Sequence, residues 1–418
     1  MSATLVSVIA PCRNERAHVA AFCEAVAAQA LPPGVALELL IADGRSTDGT
    51  REWLAQRAEQ DPRLAWIDNP GLIVSTGLNR CLAQARGEVI VRMDLHTDYA
   101  PDYIAECLAA LARTGADNVG GPWRALGQGA EQGTGQGGVQ SAIAAAFQSP
   151  WVAGGARSRD LAHEGPVDTV YLGCWPRSSF ERFGGFDETL VRNQDDEHNL
   201  RIHRGGGRVW QSARIRSAYR PRATLAQLFR QQRQYGYWKP FVMRKHGQAA
   251  ALRQWVPGVF VAALGGLGLA GLVWAPARAG FLALATAYGL YLLAASAAIA
   301  SAHRASAARG DRPFADKDRP LPAGGSPMGG GPGATPTGVR SVLSSGPLSG
   351  APVALPSEPA ALHSAPRSPI QPGPLAGFFW LPLVIAATHL GYGWGSLRGW
   401  ADVRLRGAPS AAFGALTR

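Results

Sequence analysis

The chain has 418 residues, 46% of them hydrophobic and 17% charged, with 41 Lys+Arg against 30 Asp+Glu. A chain this long and this apolar can bury a sizeable core, which excludes a wholly disordered or fibrous protein. Charge is unevenly spread, because residues 204–253 hold twelve Lys/Arg and no acid and end where the first long apolar run begins. Basic residues set against an apolar run mark the cytoplasmic flank of a membrane segment and not a nucleic-acid surface, so no nucleic-acid partner is expected.

From the N-terminus, apolar runs of strand length alternate with helical stretches. Leu5–Ala10, Leu37–Ala42, Leu64–Ile67 and Val89–Met93 read as strands, and Phe22–Ala30, Arg51–Gln60 and Thr76–Ala85 as helices. This alternation predicts an α/β fold, a mostly parallel sheet with helices on both faces, whose ligands bind beyond the carboxyl ends of the strands. Residues 126–138, rich in Gly and Gln, read as a mobile loop. A second compact segment follows, with Val167–Leu172, a helix-like Ser178–Phe183 and a turn at Gly184–Asp187. Five cysteines (Cys12, Cys23, Cys81, Cys107, Cys174) form no C-x-x-C pair and read as small core residues in a reducing compartment. No basic-then-apolar leader opens the chain, so no signal peptide is expected.

Positions 254–277 and 279–302 carry no charged residue, and 368–397 carry no Asp, Glu, Lys or Arg. Each is long enough to cross a hydrocarbon layer of roughly 30 Å. The expected organisation is a cytoplasmic head over 1–253, a transmembrane hairpin over 254–302 and a Pro/Gly/Ser-rich, disordered loop over 303–374. A third transmembrane or re-entrant segment over 375–397 and a basic tail over 398–418 complete it. A crossing at 375–397 would put Arg398, Arg404 and Arg406 outside, against the positive-inside rule, so both options stay open.

Chemistry is sought where strands end in polar residues. Asp43-Gly44-Arg45-Ser46-Thr47-Asp48-Gly49-Thr50 is either a capped strand-to-helix turn or a loop whose acid and amides face a ligand. Asp94 and His96 at the end of Val89–Met93 are either a surface turn or two ligands for one divalent ion, Mg²⁺ or Mn²⁺. Asp195-Asp196-Glu197 is either an acidic helix start or a carboxylate cluster able to raise the pKa of a general base. Gln231–Lys239 mixes amides, aromatics and cations, as an interfacial helix or an acceptor-binding segment would.

Together, in this order, the segments Ser7–Glu15, Asp43–Thr50, Arg92–His96, Gly184–Glu188, 195–197 and Gln231–Lys239 resemble the family 2 glycosyltransferases of GT-A type, most of all the succinoglycan-type exopolysaccharide glucosyltransferases. The resemblance spans roughly 4–300 and implies a GT-A fold followed by a C-terminal membrane-helical region. It implies nucleotide-sugar binding by Pro11, Asn14, Glu15, Asp43, Arg92 and Asp94, a divalent metal on Asp94 and His96, and catalysis by Asp195 with Asp196 as the fallback. Gly185, Phe186, Asp187, Glu197, Gln231, Gln234 and Tyr235 fall where the family binds acceptor or diphosphate. His96 replaces the second Asp of the family's D-x-D, and Gln231–Tyr235 matches its Q-x-x-R-W imperfectly, which argues against processive synthesis. The implied reaction is an inverting transfer of a hexose, from UDP-glucose, to a polyprenyl-diphosphate-linked saccharide. It would take place at a bacterial-type inner membrane, with membrane lipids and other polysaccharide-assembly proteins as further partners. The rival readings are a polyprenyl-phosphate monosaccharide synthase and a catalytically idle sugar-nucleotide-binding scaffold.

Overall fold

The computed structural model describes residues 4–126, 136–249, 251–308 and 379–414. Of the loops expected over 126–138 and 303–374, residues 127–135 and 309–374 lie outside the described residues, whereas 136–138 open α5 and 303–308 close α11 as helix. The chain begins β1 (Thr4–Cys12), α1 (Arg16–Ala27), β2 (Val35–Asp43), α2 (Thr50–Gln60), β3 (Leu64–Asp68), α3 (Val74–Gln84) and β4 (Val89–Arg92), the alternation expected from the apolar runs. It continues β5 (Thr97–Tyr99), α4 (Tyr103–Thr114), β6 (Asn118–Gly121), β7 (Trp123–Ala125), α5 (Gln136–Phe147), α6 (Pro150–Ala153), β8 (Gly165–Pro166) and β9 (Tyr171–Pro176). Then come α7 (Arg177–Phe183), α8 (Gln194–Arg204), β10 (Val209–Gln211), β11 (Ser217–Tyr219), α9 (Leu225–His246), α10 (Val256–Ala270), α11 (Ala275–Ala308) and α12 (Leu381–Leu405).

Eight strands form one sheet in the order β3-β2-β1-β4-β9-β6-β10-β8. The first four are parallel, whereas β9 runs antiparallel between β4 and β6. Val6, Val8, Ile41 and Val91 pack on one face with α1 and α4, and Ile9, Leu40, Ile90 and Leu78 on the other. Full burial of such side chains stabilises by roughly 1.5–3 kcal/mol each. A small second sheet, β5-β11-β7, is too short to register as apolar runs in the sequence.

The parallel register places Cys12 beside Asp43 and Asp43 beside Asp68, so three carboxyl ends finish on one edge. Helix α1 starts at Arg16, earlier than the expected Phe22, because its first turn is polar and is capped by another loop. The amides of Asn14, Glu15 and Arg16 donate to Ser46 Oγ (2.7 Å), Thr50 Oγ1 (3.0 Å) and Asp48 Oδ2 (3.0 Å). Asn14 returns the contact by accepting from the Thr47 amide at 2.8 Å, with its own backbone left-handed at φ 52°.

At the C-terminal end, the described residues contain two helices long and apolar enough to cross a membrane, Leu252–Ala270 and Ala275–Ala305. Their turn lies at 271–274 and not at Arg278, because Pro276 occupies the first turn of α11, where a missing amide costs nothing. Apolar side chains around this turn are open, with Leu272, Val273 and Trp274 at 79%, 93% and 61% exposure. α12 differs from the expected segment in running on to Leu405, so residues 398–405 belong to a helix and not to a tail. Its first turns, with Leu381, Val384 and Ile385, pack among Ile143, Phe147 and Leu228.

Candidate active site

Strand β4 delivers Arg92 to the ligand-binding edge, where its side chain is 5% exposed. The guanidinium donates from Nε to Asp94 Oδ1 (3.0 Å) and from Nη2 to Asp94 Oδ2 (3.2 Å), while Nη1 pairs with Asp195 Oδ1. One buried cation thus joins two carboxylates brought together from β4 and α8, and these carboxylates raise the guanidinium pKa against the opposing effect of burial. The turn after β4 is fixed by Tyr99, whose hydroxyl accepts from the Asp94 amide at 2.6 Å.

The neighbouring acids Asp195 and Asp196 are separated by their surroundings. Burial pushes the Asp195 carboxyl up to about 6; Arg92 opposes this, and Asp94 and Asp196 reinforce it. Burial also raises Asp196, but Lys239, whose Nζ lies 2.5 Å from Oδ2, reverses the shift and leaves that carboxyl below its ordinary value. Asp196 is committed to an ion pair, whereas Asp195 remains a carboxylate that can exchange a proton near neutrality.

Helix α9 supplies more of this wall than its sequence pattern indicates. Gln234 Oε1 accepts from Arg192 Nε at 3.2 Å, the Tyr235 carbonyl accepts from Asn193 Nδ2 at 2.9 Å, and Arg192 lies over the Tyr235 ring at 5.4 Å. Both partners precede α8, so α9 braces the start of the helix that carries the acids. Gln231 Nε2 donates to Tyr219 Oη at 3.3 Å, and its buried Oε1 has no hydrogen-bond partner among the described residues. The Tyr219 ring reaches His96 at 6.2 Å. Lys239 closes the segment singled out in the sequence, but its pairing with Asp196, 43 residues away, was not legible there, and Arg192, whose partner Gln234 lies 42 residues on, stood outside the motifs.

Of the expected nucleotide ligands, Pro11 is the penultimate residue of β1, while Asn14 and Glu15 lie in the capped turn before α1. Asp43 is fully buried and accepts from the amide (3.1 Å) and hydroxyl (2.5 Å) of its own loop's Ser46. Arg92, expected at the nucleotide as well, has its guanidinium held by Asp94 and Asp195.

Four expected acceptor or diphosphate residues stand away from this cluster. Gly185 packs against Asn79, where a Cβ would lie 2.6 Å from its Oδ1, and Phe186 is a core ring against Trp175 and Phe180. Asp187 pairs with Lys245 at 2.6 Å. Glu197 is fully buried and held by Arg201 (2.7 Å), Lys245 (2.8 Å) and His246 (3.0 Å). The acidic start of α8 therefore points its third carboxylate into packing, roughly 200° around the helix from Asp195.

Among the described residues no three His, Cys, Asp or Glu side chains converge on one point. The candidate donor set is the Asp94 carboxylate, whose two oxygens also accept from Arg92, and the half-exposed His96 imidazole, whose Nδ1 lies 3.7 Å from Glu15 Oε1. Two protein ligands with an open side fit a hard divalent cation whose remaining positions are filled by substrate phosphates and water.

A mostly parallel sheet ending in a polar turn with D-x-H, with a carboxylate on a later helix, is the arrangement of a GT-A fold. The profile described as "Glycosyl transferase family 2" matches residues 7–151. The succinoglycan biosynthesis protein ExoA of Rhizobium meliloti (strain 1021) is 32% identical over 259 residues, covering 62% of this chain and 76% of the relative. The chain belongs to the family 2 glycosyltransferases. Among solved structures it is similar to the mannosyltransferase PcManGT from Pyrobaculum calidifontis in complex with GDP-Man and Mn²⁺ (TM-score 0.43, 20% identity, 71% of this chain and 86% of that one). It is also similar to S. aureus TarS 1–349 in complex with UDP (TM-score 0.38, 15% identity, 50% and 57%).

Proposed function

We propose that the protein is a membrane-attached, inverting hexosyltransferase of exopolysaccharide assembly, moving a hexose from a UDP-sugar to a polyprenyl-diphosphate-linked saccharide. The observation that carries the reading is the pair of adjacent acids with opposite fates: Asp196 neutralised by Lys239, Asp195 raised to about 6 beside the D-x-H turn. In this mechanism the Asp195 carboxylate takes the proton from the acceptor hydroxyl as that oxygen attacks the anomeric carbon from the side opposite the leaving diphosphate. Arg92 keeps that carboxylate placed against the donor end of the cleft. Asn14, Glu15 and the Asp43 loop hold the nucleotide end on the braced turns before α1 and α2. A divalent cation on Asp94 and His96 would supply charge neutralisation for the departing diphosphate. Exposed apolar faces on α10 and α11, next to the acid-free basic stretch, support attachment to the inner membrane with the head cytoplasmic. The ExoA relative supports the exopolysaccharide pathway and a succinoglycan-type product.

The test is transfer of radiolabelled glucose from UDP-glucose into lipid extract by membranes containing wild type or Asp195→Asn, with Mg²⁺, Mn²⁺ or EDTA. Metal-dependent label in an oligosaccharide lipid, lost in the variant, is the expected result. Label confined to a monosaccharide lipid would replace this reading with the polyprenyl-phosphate synthase. No transfer from any common nucleotide sugar would leave the scaffold.

A further inference from the structure

α12 meets α9 backbone to backbone. A Cβ on Gly395 would sit 2.0 Å from the Arg233 carbonyl oxygen, one on Gly399 2.3 Å from that of Tyr237, and one on Gly391 3.0 Å from that of Phe229. Glycines advancing by four meet carbonyls advancing by four, so the two helices run parallel and in register. α9 answers with Gly236, whose Cβ would lie 2.0 Å from the Tyr392 oxygen. The joint is closed by polar contacts: Tyr237 Oη donates to Asp402 Oδ2 at 2.8 Å, Asp402 is 2% exposed, and the Ser410 amide donates to the same Tyr237 oxygen at 2.7 Å. Phe413 stacks on the Tyr237 ring at 3.7 Å. On its other side α12 touches α10, where a Gly393 Cβ would lie 2.3 Å from the Pro257 oxygen.

Parallel helices in register lie at one depth. α9 carries Arg230, Arg233, Lys239, Arg244 and Lys245, so a bilayer crossing by α12 would draw these cations into hydrocarbon with it. We infer that α12 is no third crossing: it stays on the same side of the membrane as the head, and Gly395, Gly399 and Asp402 are positioning residues that seat α9. Through Gln234, Tyr235 and Lys239, α9 in turn holds the start of α8 and the acceptor side of the site. The C-terminal helix, beyond the matched family profile, is thus part of the transferase machinery. The inference rests on the membrane-attached transferase reading above.

The test uses the full chain in membrane vesicles of both orientations and a membrane-impermeant maleimide. The five native cysteines are buried, which keeps the background low. Gln60→Cys reports the head, Leu405→Cys the end of α12, and Val273→Cys the hairpin turn. Gln60→Cys and Leu405→Cys labelling from one side is expected; labelling from opposite sides overturns the inference. Head labelling in both orientations would instead overturn membrane attachment, leaving the positioning role to be judged by kinetics. There Gly395→Ala, which forces the helices apart by about an ångström, should lower kcat for transfer to the lipid acceptor by roughly 10²-fold, with the Kd for UDP unchanged. Asp402→Asn should act in the same direction and more weakly. Unchanged transfer in both variants, or loss of UDP binding in parallel with transfer, refutes the positioning role.

Discussion

Replacing Asp195 by Asn separates stability from activity in a way only a desolvated base would. The fold holds the Asp195 carboxyl at about 6 against an ordinary 3.8, so the folded state binds that proton more tightly than the unfolded chain. Its stabilising contribution is complete below pH 3.8 and is lost as pH rises through about 6. The gap corresponds to roughly 3 kcal/mol at most. Because 32% of the side chain meets solvent, the expected cost of the charged form is nearer 1 kcal/mol. Asn carries no such cost and still offers Arg92 an acceptor oxygen. At pH 7.5 Asp195→Asn should therefore melt a few degrees above wild type, an advantage that vanishes by pH 4. Transfer should fall by roughly 10²–10⁴-fold, about 3–5 kcal/mol of barrier. Thermal unfolding of the detergent-solubilised chain at both pH values, with labelled-sugar transfer, reads the two effects. A variant less stable than wild type at pH 7.5, or one that keeps its transfer rate, would refute the assignment.

Lys239→Met leaves Asp196 without its partner and should cost about 3–5 kcal/mol of stability; adding Asp196→Asn should recover most of it, read by chemical denaturation, and restore transfer. His96→Ala should raise the Mn²⁺ concentration for half-maximal transfer by roughly tenfold or more, while Mn²⁺ titration without donor reports the same loss independently. Burial pushes the Cys23 and Cys81 thiols up to about 12, so neither should react with iodoacetamide at pH 8 in the folded chain, and both should after denaturation; mass spectrometry of the alkylated sites decides this.

The strand runs were legible because a fully buried parallel strand must be apolar on both faces, which one segment displays by itself. Leu5–Ala10, Leu37–Ala42 and Val89–Met93 therefore fall where β1, β2 and β4 do. The start of α1 was not legible, since its caps are Ser46, Asp48 and Thr50 of a loop more than thirty residues on. Glu197 and Phe186 belonged to motifs that point to a site, yet both are consumed by packing. The hairpin was visible as charge-free runs, but its turn is placed by Pro276 and not by the charge at Arg278.

The sequence by itself determined the α/β head, the apolar hairpin and the polar strand ends where chemistry belongs, because hydrophobic period and turn residues are local records of burial. Tertiary structure alone decided which of two adjacent acids is raised toward neutrality. Neighbours on a helix point about 100° apart, and only Lys239 and Arg92, arriving from distant elements, distinguish Asp196 from Asp195. It decided equally that the glycines of α12 serve α9, since a residue without a side chain records nothing of its partner in the chain, and the partner lies about 160 residues away.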